Sequence, residues 1–403
     1  SNYLYLCHAV PNLTPKELKA QFDMYATLYR HEEPLPPRAA VQHERLRIGF
    51  IAQHFLGSSS SLFYEGLMRG LTEKFDVYAY ALDDRADDFT EELCGALNYH
   101  ALANRSIEEQ AEAIRADEID VLFDLGGHTD GGMTLMVLAR RPAPVQISGI
   151  GWFATTGVPF VDGFLTDAVL SPAGTEEFYS EELLRLPHAF CFAPDRAMRA
   201  STVVERPADA PVTFGVMQNF MKINEESLKL WGRILKKLPK AQLVLQDAAV
   251  DSPLRVTTIL EMIEGLKLPA KRIFVRTGKR DYLGDYGDID IALDTFPYAG
   301  GASTATALYM GVPVITLRGE THAARLGAAM LTAAGHADWI ADDARAYESL
   351  AVQMGEDIAG VRARRSALRA GVEASALMDA RAYLAAFTSE LERLWAAHGD
   401  FAL

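Results

Sequence analysis

The sequence has almost no cysteine: three residues in 403, Cys7, Cys94 and Cys191, scattered and odd in number. That excludes a disulfide framework and every common zinc-ligand spacing, and it fits a reducing compartment such as the cytosol. Long apolar runs are also absent. No stretch approaches the roughly 20 residues of a membrane span, and no secretory leader is visible. Basic residues are in the minority, 39 Lys and Arg against 54 Asp and Glu, for a net charge of -15. A general nucleic-acid partner is thereby excluded, because that affinity depends on clustered cations, although one basic cleft remains compatible with the total. A chain starting at Ser1 rather than Met reads as a piece of a longer protein.

What is present is a globular composition, 49% hydrophobic and 23% charged, at a length that implies two domains. Short Val- and Ile-rich runs alternate with helix-length segments, the pattern of parallel α/β sheets. In the first half the expected strands are "LRIGFIA" (46–52), "FDVYAYAL" (75–82), "IDVLFDL" (119–125), "PVQISGIG" (144–151) and "GFLTDAV" (163–169). Residues 194–211, with three prolines, read as a linker. The pattern then restarts with "PVTFGVM" (211–217), "AQLVLQ" (241–246), "RIFVRT" (272–277), "IDIALDT" (289–295) and "PVITLRG" (313–319). Helices are expected at 61–71, 106–116, 225–239, 253–267, 304–311 and 323–334. The expected architecture is two Rossmann-like, doubly wound domains facing across a cleft, with helical extensions at both ends. The divisions are 1–42, a helical segment; 43–205, the first domain; 206–375, the second; and 376–403, a helix packing back across the domains.

Ligands of such sheets sit beyond the carboxyl ends of the strands, where strand order reverses. In "LDTFPYAGGASTATALYMGVPVIT" (293–316), Gly300 and Gly301 permit positive φ and close approach, and a helix follows with Ala302, Ser303 and Thr304 in its first turn. Unpaired helix N–H groups and the dipole suit a phosphate there; a plain capped strand-to-helix turn fits the same residues. It is not a Walker loop, since no GK[ST] follows. Lys222, just past "PVTFGVM", either neutralises a phosphate or is a surface lysine, and Asn224 is placed to cap the next helix. Lys279 follows "RIFVRT" in the same way, with Tyr282 offering a ring face to a base. Three strand ends converging on one place point to a nucleotide diphosphate. Asp288 and Asp290 resemble a DxD metal motif but flank the start of a strand, so no metal is expected.

The segments "ARRPAPVQISGIGWFATTGVPFVDGFLTDAVLSP" (139–172), "LDTFPYAGGASTATALYMGVPVIT" and "RGETHAARLGAAML" (318–331) resemble the catalytic region of the O-linked N-acetylglucosamine transferases, glycosyltransferase family 41, nearest its bacterial and SPINDLY-like members. The resemblance runs from about residue 46 to 395. It implies the GT-B fold and an inverting, metal-independent transfer, without a cofactor, from a UDP-sugar (UDP-GlcNAc or UDP-glucose) to a protein Ser or Thr, or to Asn as in some relatives. It also implies a cytoplasmic protein whose acceptor side is residues 43–205 and whose nucleotide-sugar side is 206–375. Tetratricopeptide repeats, common upstream in the family, would lie outside this chain or come in trans. By position, Lys222 matches the diphosphate-binding lysine and Asn219 a nucleotide contact. Lys279 and Tyr282 fall near the uridine, Gly300 to Thr304 match the pyrophosphate loop, and Ile150 and Gly151 match backbone near the sugar.

The departures from the family matter equally. Thr306 stands where relatives hold the ribose with an acid. Ser58, in "QHFLGSSSSLF" (53–63), replaces the active-site His, and His54 replaces a nearby Asp. The His expected in the N-terminal helix aligns with Gln21 or Phe22. A serine in this setting is no general base near neutral pH. His54 and His128, each just past a strand, are the remaining candidates for the base, and a packed structural role fits each as well; Ser58, at the family histidine's place, and Lys222 complete the expected catalytic set. His322 and Arg325 either reach the cleft or cap a helix; Trp152 and Phe153 either shape a pocket or fill the core. Three functions remain open: a glycosyltransferase, a nucleotide-binding module without transfer, and a UDP-sugar epimerase or hydrolase.

Overall fold

The computed structural model describes residues 1–36, 41, 43–247, 252–277 and 283–401. The apolar runs form strands, buried in most cases though Ile273–Thr277 is largely part-exposed, and every strand pairing among the described residues is parallel. The first sheet contains β1 (Arg47–Ala52), β2 (Asp76–Ala81), β3 (Asn98–Ala101), β4 (Val121–Asp124), β5 (Val145–Ser148), β6 (Gly163–Asp167) and β7 (Glu182–Leu186), in the order β3-β2-β1-β4-β5-β6-β7. The second contains β8 (Thr213–Met217), β9 (Gln242–Asp247), β10 (Ile273–Thr277), β11 (Ile291–Leu293), β12 (Val314–Leu317) and β13 (Ile340–Ala341), in the order β10-β9-β8-β11-β12-β13. Strand order reverses between β1 and β4 in one sheet and between β8 and β11 in the other. These are the places where a doubly wound sheet leaves a crevice.

Two compact units contain these sheets. One comprises residues 1–7, 13–193 and 379–403; the other comprises 8–12 and 194–378. The C-terminal helix Ala380–Phe401 therefore groups with the first sheet, where Tyr383 Oη donates to the Ala189 carbonyl at 2.9 Å. Leu384 packs so close to Gly70 that a Cβ there would lie 2.3 Å from it. Residues 194–211 group with the second unit and contain a short helix, Arg196–Ala200.

Helix starts follow local chemistry. Thr14 with Glu17, and Ser106 with Glu109, form reciprocal capping boxes at Pro15–Ala26 and Ile107–Ala116. Asn224 accepts from the Ser227 amide and starts Glu225–Lys237, which buries Leu228, Trp231, Ile234 and Leu235 against the second sheet. At the base of that sheet Asp290 is fully buried between Arg206 (2.8 Å) and Arg362 (2.9 Å), while Asp288 pairs with Arg276. The DxD-like pair is thus a structural anchor at the strand's beginning, where sequence reasoning placed it.

Candidate functional site

The loops after β8 and β11 meet at the second switch point. After β8 come Gln218 and Asn219, then a single 3-10 turn, Phe220–Lys222. After β11 come Asp294, Thr295, a cis Phe296–Pro297 bond, Tyr298 and the glycines, then the helix Ala302–Tyr309. The Lys222 Nζ donates to the Ala299 carbonyl at 3.1 Å and Gln218 Oε1 at 3.4 Å, and lies 3.8 Å from the Tyr298 ring centre. The two loops are joined by this one ammonium.

Asp294, 1% exposed, organises the turn beneath it. Its Oδ1 accepts from Gly300 N (2.7 Å), Thr295 N (2.9 Å) and Gln218 Nε2 (3.1 Å), and its Oδ2 from Thr316 Oγ1 (2.7 Å). Burial pushes this carboxyl up to about 6, against the pull of its donors and Lys222. Burial likewise pulls Lys222 down to about 8, with Asp294 acting against it. The result is a half-buried, poorly hydrated cation whose proton affinity rises when an anion arrives.

The glycines work differently from the sequence expectation. Neither Gly300 nor Gly301 takes a positive φ. A Cβ on Gly300 would lie 2.2 Å from Gln218 Nε2 and 2.9 Å from Asp294 Oδ1, so glycine is required by close approach. Its N–H is also committed to Asp294, which removes one amide from any phosphate cradle. The remaining cradle is the first turn of Ala302–Tyr309. There the N–H groups of Ala302, Ser303 and Thr304 have no partner among the described residues, and Thr304 Oγ1 donates to the Gly300 carbonyl at 3.0 Å. Thr306 is 4% exposed. Asn219 Oδ1 accepts from Met221 N at 3.0 Å and caps the turn carrying Lys222. Lys279 and Tyr282 lie outside the described residues. His322, also buried in this unit, has its proton affinity held down to about 3, chiefly by burial.

At the first switch point His54 follows β1. Its Nδ1 lies 2.7 Å from Arg85 Nη2 and 3.5 Å from Asp83 Oδ2. Because a guanidinium only donates, Nδ1 accepts, and a neutral His54 carries its proton on Nε2. As placed, the free edge of His54 is a donor. Ser58 is exposed, and its backbone carbonyl and Oγ serve the turn that opens the helix Ser61–Leu71.

His128 differs from the expectation more sharply. It is 0% exposed, donating from Nε2 to the Thr156 carbonyl (2.7 Å) and accepting at Nδ1 from Ser1 Oγ (3.1 Å). The rings of Tyr25, Trp152 and Phe22 surround it at 4.8, 5.0 and 5.3 Å. Burial lowers its proton affinity to about 4. A strand-end histidine read as a base is here a sealed core residue with both nitrogens engaged. Trp152, fully buried with Nε1 on the Thr155 carbonyl, fills the same core.

After β5, Ile150 takes φ +61°, a left-handed conformation that costs a β-branched residue about 1–3 kcal/mol. A Cβ on Gly151 would lie 1.8 Å from the Leu125 carbonyl oxygen, so this strand end is pressed against the end of β4.

A sequence model of glycosyl transferase family 41 matches residues 17–206 and 198–387. The chain belongs to glycosyl transferase family 41. It is 32% identical over 365 residues to the SPINDLY protein of Arabidopsis thaliana, named a probable UDP-N-acetylglucosamine–peptide N-acetylglucosaminyltransferase; the match covers 87% of this chain and 39% of that protein. The similarly named SEC protein of the same plant is 28% identical over 92% of this chain and 39% of its own length. The chain thus spans about two fifths of these relatives. Among solved structures, a mutant of the Thermobaculum terrenum O-GlcNAc transferase superposes with a TM-score of 0.88 at 29% identity, covering 98% of this chain and 77% of that one. The Anabaena HepE protein, solved with UDP and glucose, shares the fold at TM-score 0.55 and 11% identity, over 86% of this chain and all of that one.

This family 41 chain has the α/β GT-B fold, and several of its site residues escaped the sequence reading. Asp294 is one; Asp124, at the end of β4, is its counterpart in the other sheet. Asp124 is fully buried and accepts from Gly126 N (2.8 Å), Gly127 N (2.9 Å) and Ser148 Oγ on β5 (2.8 Å), just as Asp294 takes Gly300 N and Thr316 Oγ1 on β12. The shared signal was an Asp closing an apolar strand, in "VLFD" and "IALD". Glu181 is another: its carboxylate takes Thr155 Oγ1 and Thr156 N, both at 2.6 Å, and pins the "TTG" turn. No periodicity marks it.

Proposed function

We propose that this family 41 chain transfers a sugar, with inversion and without a metal or cofactor, from a nucleotide diphosphate donor to a protein side chain. UDP-GlcNAc and UDP-glucose are the first donors to test, and Ser or Thr the first acceptors, with Asn next. The observation that carries the reading is Lys222, held over Tyr298 at the switch point with the N-terminus of Ala302–Tyr309 beside it. The names of the SPINDLY relatives and of the Thermobaculum enzyme support the same donor chemistry.

In the proposed reaction the acceptor oxygen attacks the anomeric carbon as the bond from that carbon to the diphosphate oxygen breaks. Lys222 and the first-turn amides of Ala302, Ser303 and Thr304, with the Ser303 hydroxyl, take up the charge on the leaving diphosphate. Asn219, Lys279, Tyr282 and Thr306 contribute to nucleotide binding, and Ile150 and Gly151 to the sugar side. His54 receives the acceptor proton at Nε2 only after its own proton has shifted to Nδ1, which requires Arg85 to release that nitrogen. Residues 43–205 serve the acceptor and 206–375 the donor, with tetratricopeptide repeats upstream or in trans presenting the acceptor protein. Work in the cytoplasm is part of the proposal; among the described residues no helix is long and apolar enough to cross a membrane.

Incubation with each UDP-sugar and a candidate acceptor is expected to release UDP, and Lys222→Ala to abolish the release. The donor tautomer of His54 and Ser58 in place of a histidine favour a second reading, a nucleotide-binding module without transfer. UDP binding by calorimetry without turnover selects that reading, and failure to bind UDP overturns both. Sugar-nucleotide conversion without acceptor selects an epimerase or hydrolase instead.

A further inference from the structure

Asn219 is a side chain with two chemically opposite ends, and the structure holds one of them. Its Oδ1 receives two donors, Met221 N at 3.0 Å and Arg255 Nη1 at 3.0 Å. Neither donor can reverse its role, so the amide orientation follows from chemistry alone. The Nδ2 group therefore faces outward, with no protein partner among the described residues. Arg255, in the helix Pro253–Gly265, is itself steadied by Asp247 at the end of β9, 3.8 Å away. Asp247 Oδ2 also accepts from Phe220 N at 2.9 Å, so one carboxylate and one guanidinium clamp both sides of the turn that carries Lys222.

We propose that Arg255 is a positioning residue for the nucleotide donor: it locks Asn219 with its amide nitrogen outward, making the rim of the switch point a surface of hydrogen-bond donors only. The Asn219 Nδ2, the Lys222 ammonium and the first-turn N–H groups of Ala302–Tyr309 then all offer hydrogen to a ligand. Such a rim selects ligands that present oxygen acceptors, a diphosphate or a base carbonyl, and disfavours ligands that present donors. The inference rests on the donor-binding reading of this site. Arg255 lies on the rim of an open groove with its side chain 40% exposed, so its removal leaves no sealed cavity.

Calorimetric titration of UDP into the full chain and four variants tests this, with thermal melts run alongside. Arg255→Ala is expected to weaken UDP by about tenfold, the loss of one fixed polar contact, while Arg255→Lys, which can still donate to Oδ1, stays within about threefold of the original. Asn219→Asp keeps both inward bonds but turns an anionic oxygen outward, and it is expected to bind more weakly than Asn219→Ala. Melting temperatures of the Arg255 variants and of Asn219→Asp are expected to stay unchanged, whereas Asn219→Ala, which removes the cap of the turn, melts somewhat lower. Unchanged affinity in Arg255→Ala, no rescue by Arg255→Lys, Asn219→Asp binding as well as Asn219→Ala, or a lowered melting temperature of Arg255→Ala accounting for its loss would each overturn the role of Arg255. Failure of the unmodified chain to bind UDP would overturn the donor-site reading itself, and this role with it.

Discussion

The Tyr298 ring and the Asp294 carboxylate both favour a charged Lys222, but burial outweighs them and makes the charge costly to keep without a further anion. Lys222 is held in that state, its proton affinity lowered to about 8 by burial. An arriving diphosphate restores the charge, so binding takes up a proton above that pH. The affinity for UDP is therefore expected to fall by about tenfold between pH 7 and 9, and Lys222→Met to bind weakly with that slope lost; calorimetry at the two pH values measures it. A pH-independent affinity in the unmodified chain would show that Lys222 does not face the ligand. Asp294 has the opposite shift, up to about 6, and its four donors explain how a carboxylate tolerates being 1% exposed.

Strand, turn and helix after β11 form the element on which the site depends. A glycine-rich turn suggests conformational freedom, but Gly300 is fixed by crowding: the Gln218 amide and the Asp294 carboxylate occupy the space of its missing Cβ. Gly300→Ala must displace one of them and break the bonds that hold the turn. A loss of about 1–3 kcal/mol in unfolding free energy is expected, with weaker UDP binding. Gly301, whose Cβ would meet only Met330 Cε at 3.9 Å, is expected to accept alanine with little loss of stability. Denaturant melts of the two variants side by side distinguish crowding from backbone flexibility. The same device, an Asp closing a central strand and accepting from a glycine amide and a neighbouring-strand hydroxyl, recurs at both switch points.

Over the whole molecule, stability should depend on pH through its buried histidines. His128 has a folded-state proton affinity of about 4 against 6.5 when unfolded, so the unfolded chain binds more protons between those values. Its contribution is present above pH 6.5 and is lost as pH falls through 4, a change approaching about 3 kcal/mol. His128→Gln is expected to flatten this part of the stability curve, which denaturant titrations at pH 7, 5.5 and 4.5 would show. Trp152, 5.0 Å from His128, provides the local fluorescence signal. A curve unchanged by His128→Gln would place the acid sensitivity elsewhere, with buried His322 the next residue to replace.

Apolar strands leave a period-independent mark, and ten of the thirteen strands among the described residues were legible as apolar runs; the helices starting at Ser106 and Asn224 were legible too. The edge strand β3, "NYHA", was not, because an edge needs little hydrophobicity; nor were β7 and the two-residue β13. Lys222, Asn219 and the glycine turn could be read as a site because residues just past parallel strands converge at a switch point whatever the loops do. The sequence alone thus determined two parallel α/β sheets and the segments that identify family 41. Tertiary structure decided which polar groups face inward: His128 sealed among aromatic rings, Gly300 N–H given to Asp294, Asn219 turned by Arg255 and His54 made a donor by Arg85. Chain order cannot encode these outcomes locally, because each depends on a hydrogen-bond partner brought up from another segment.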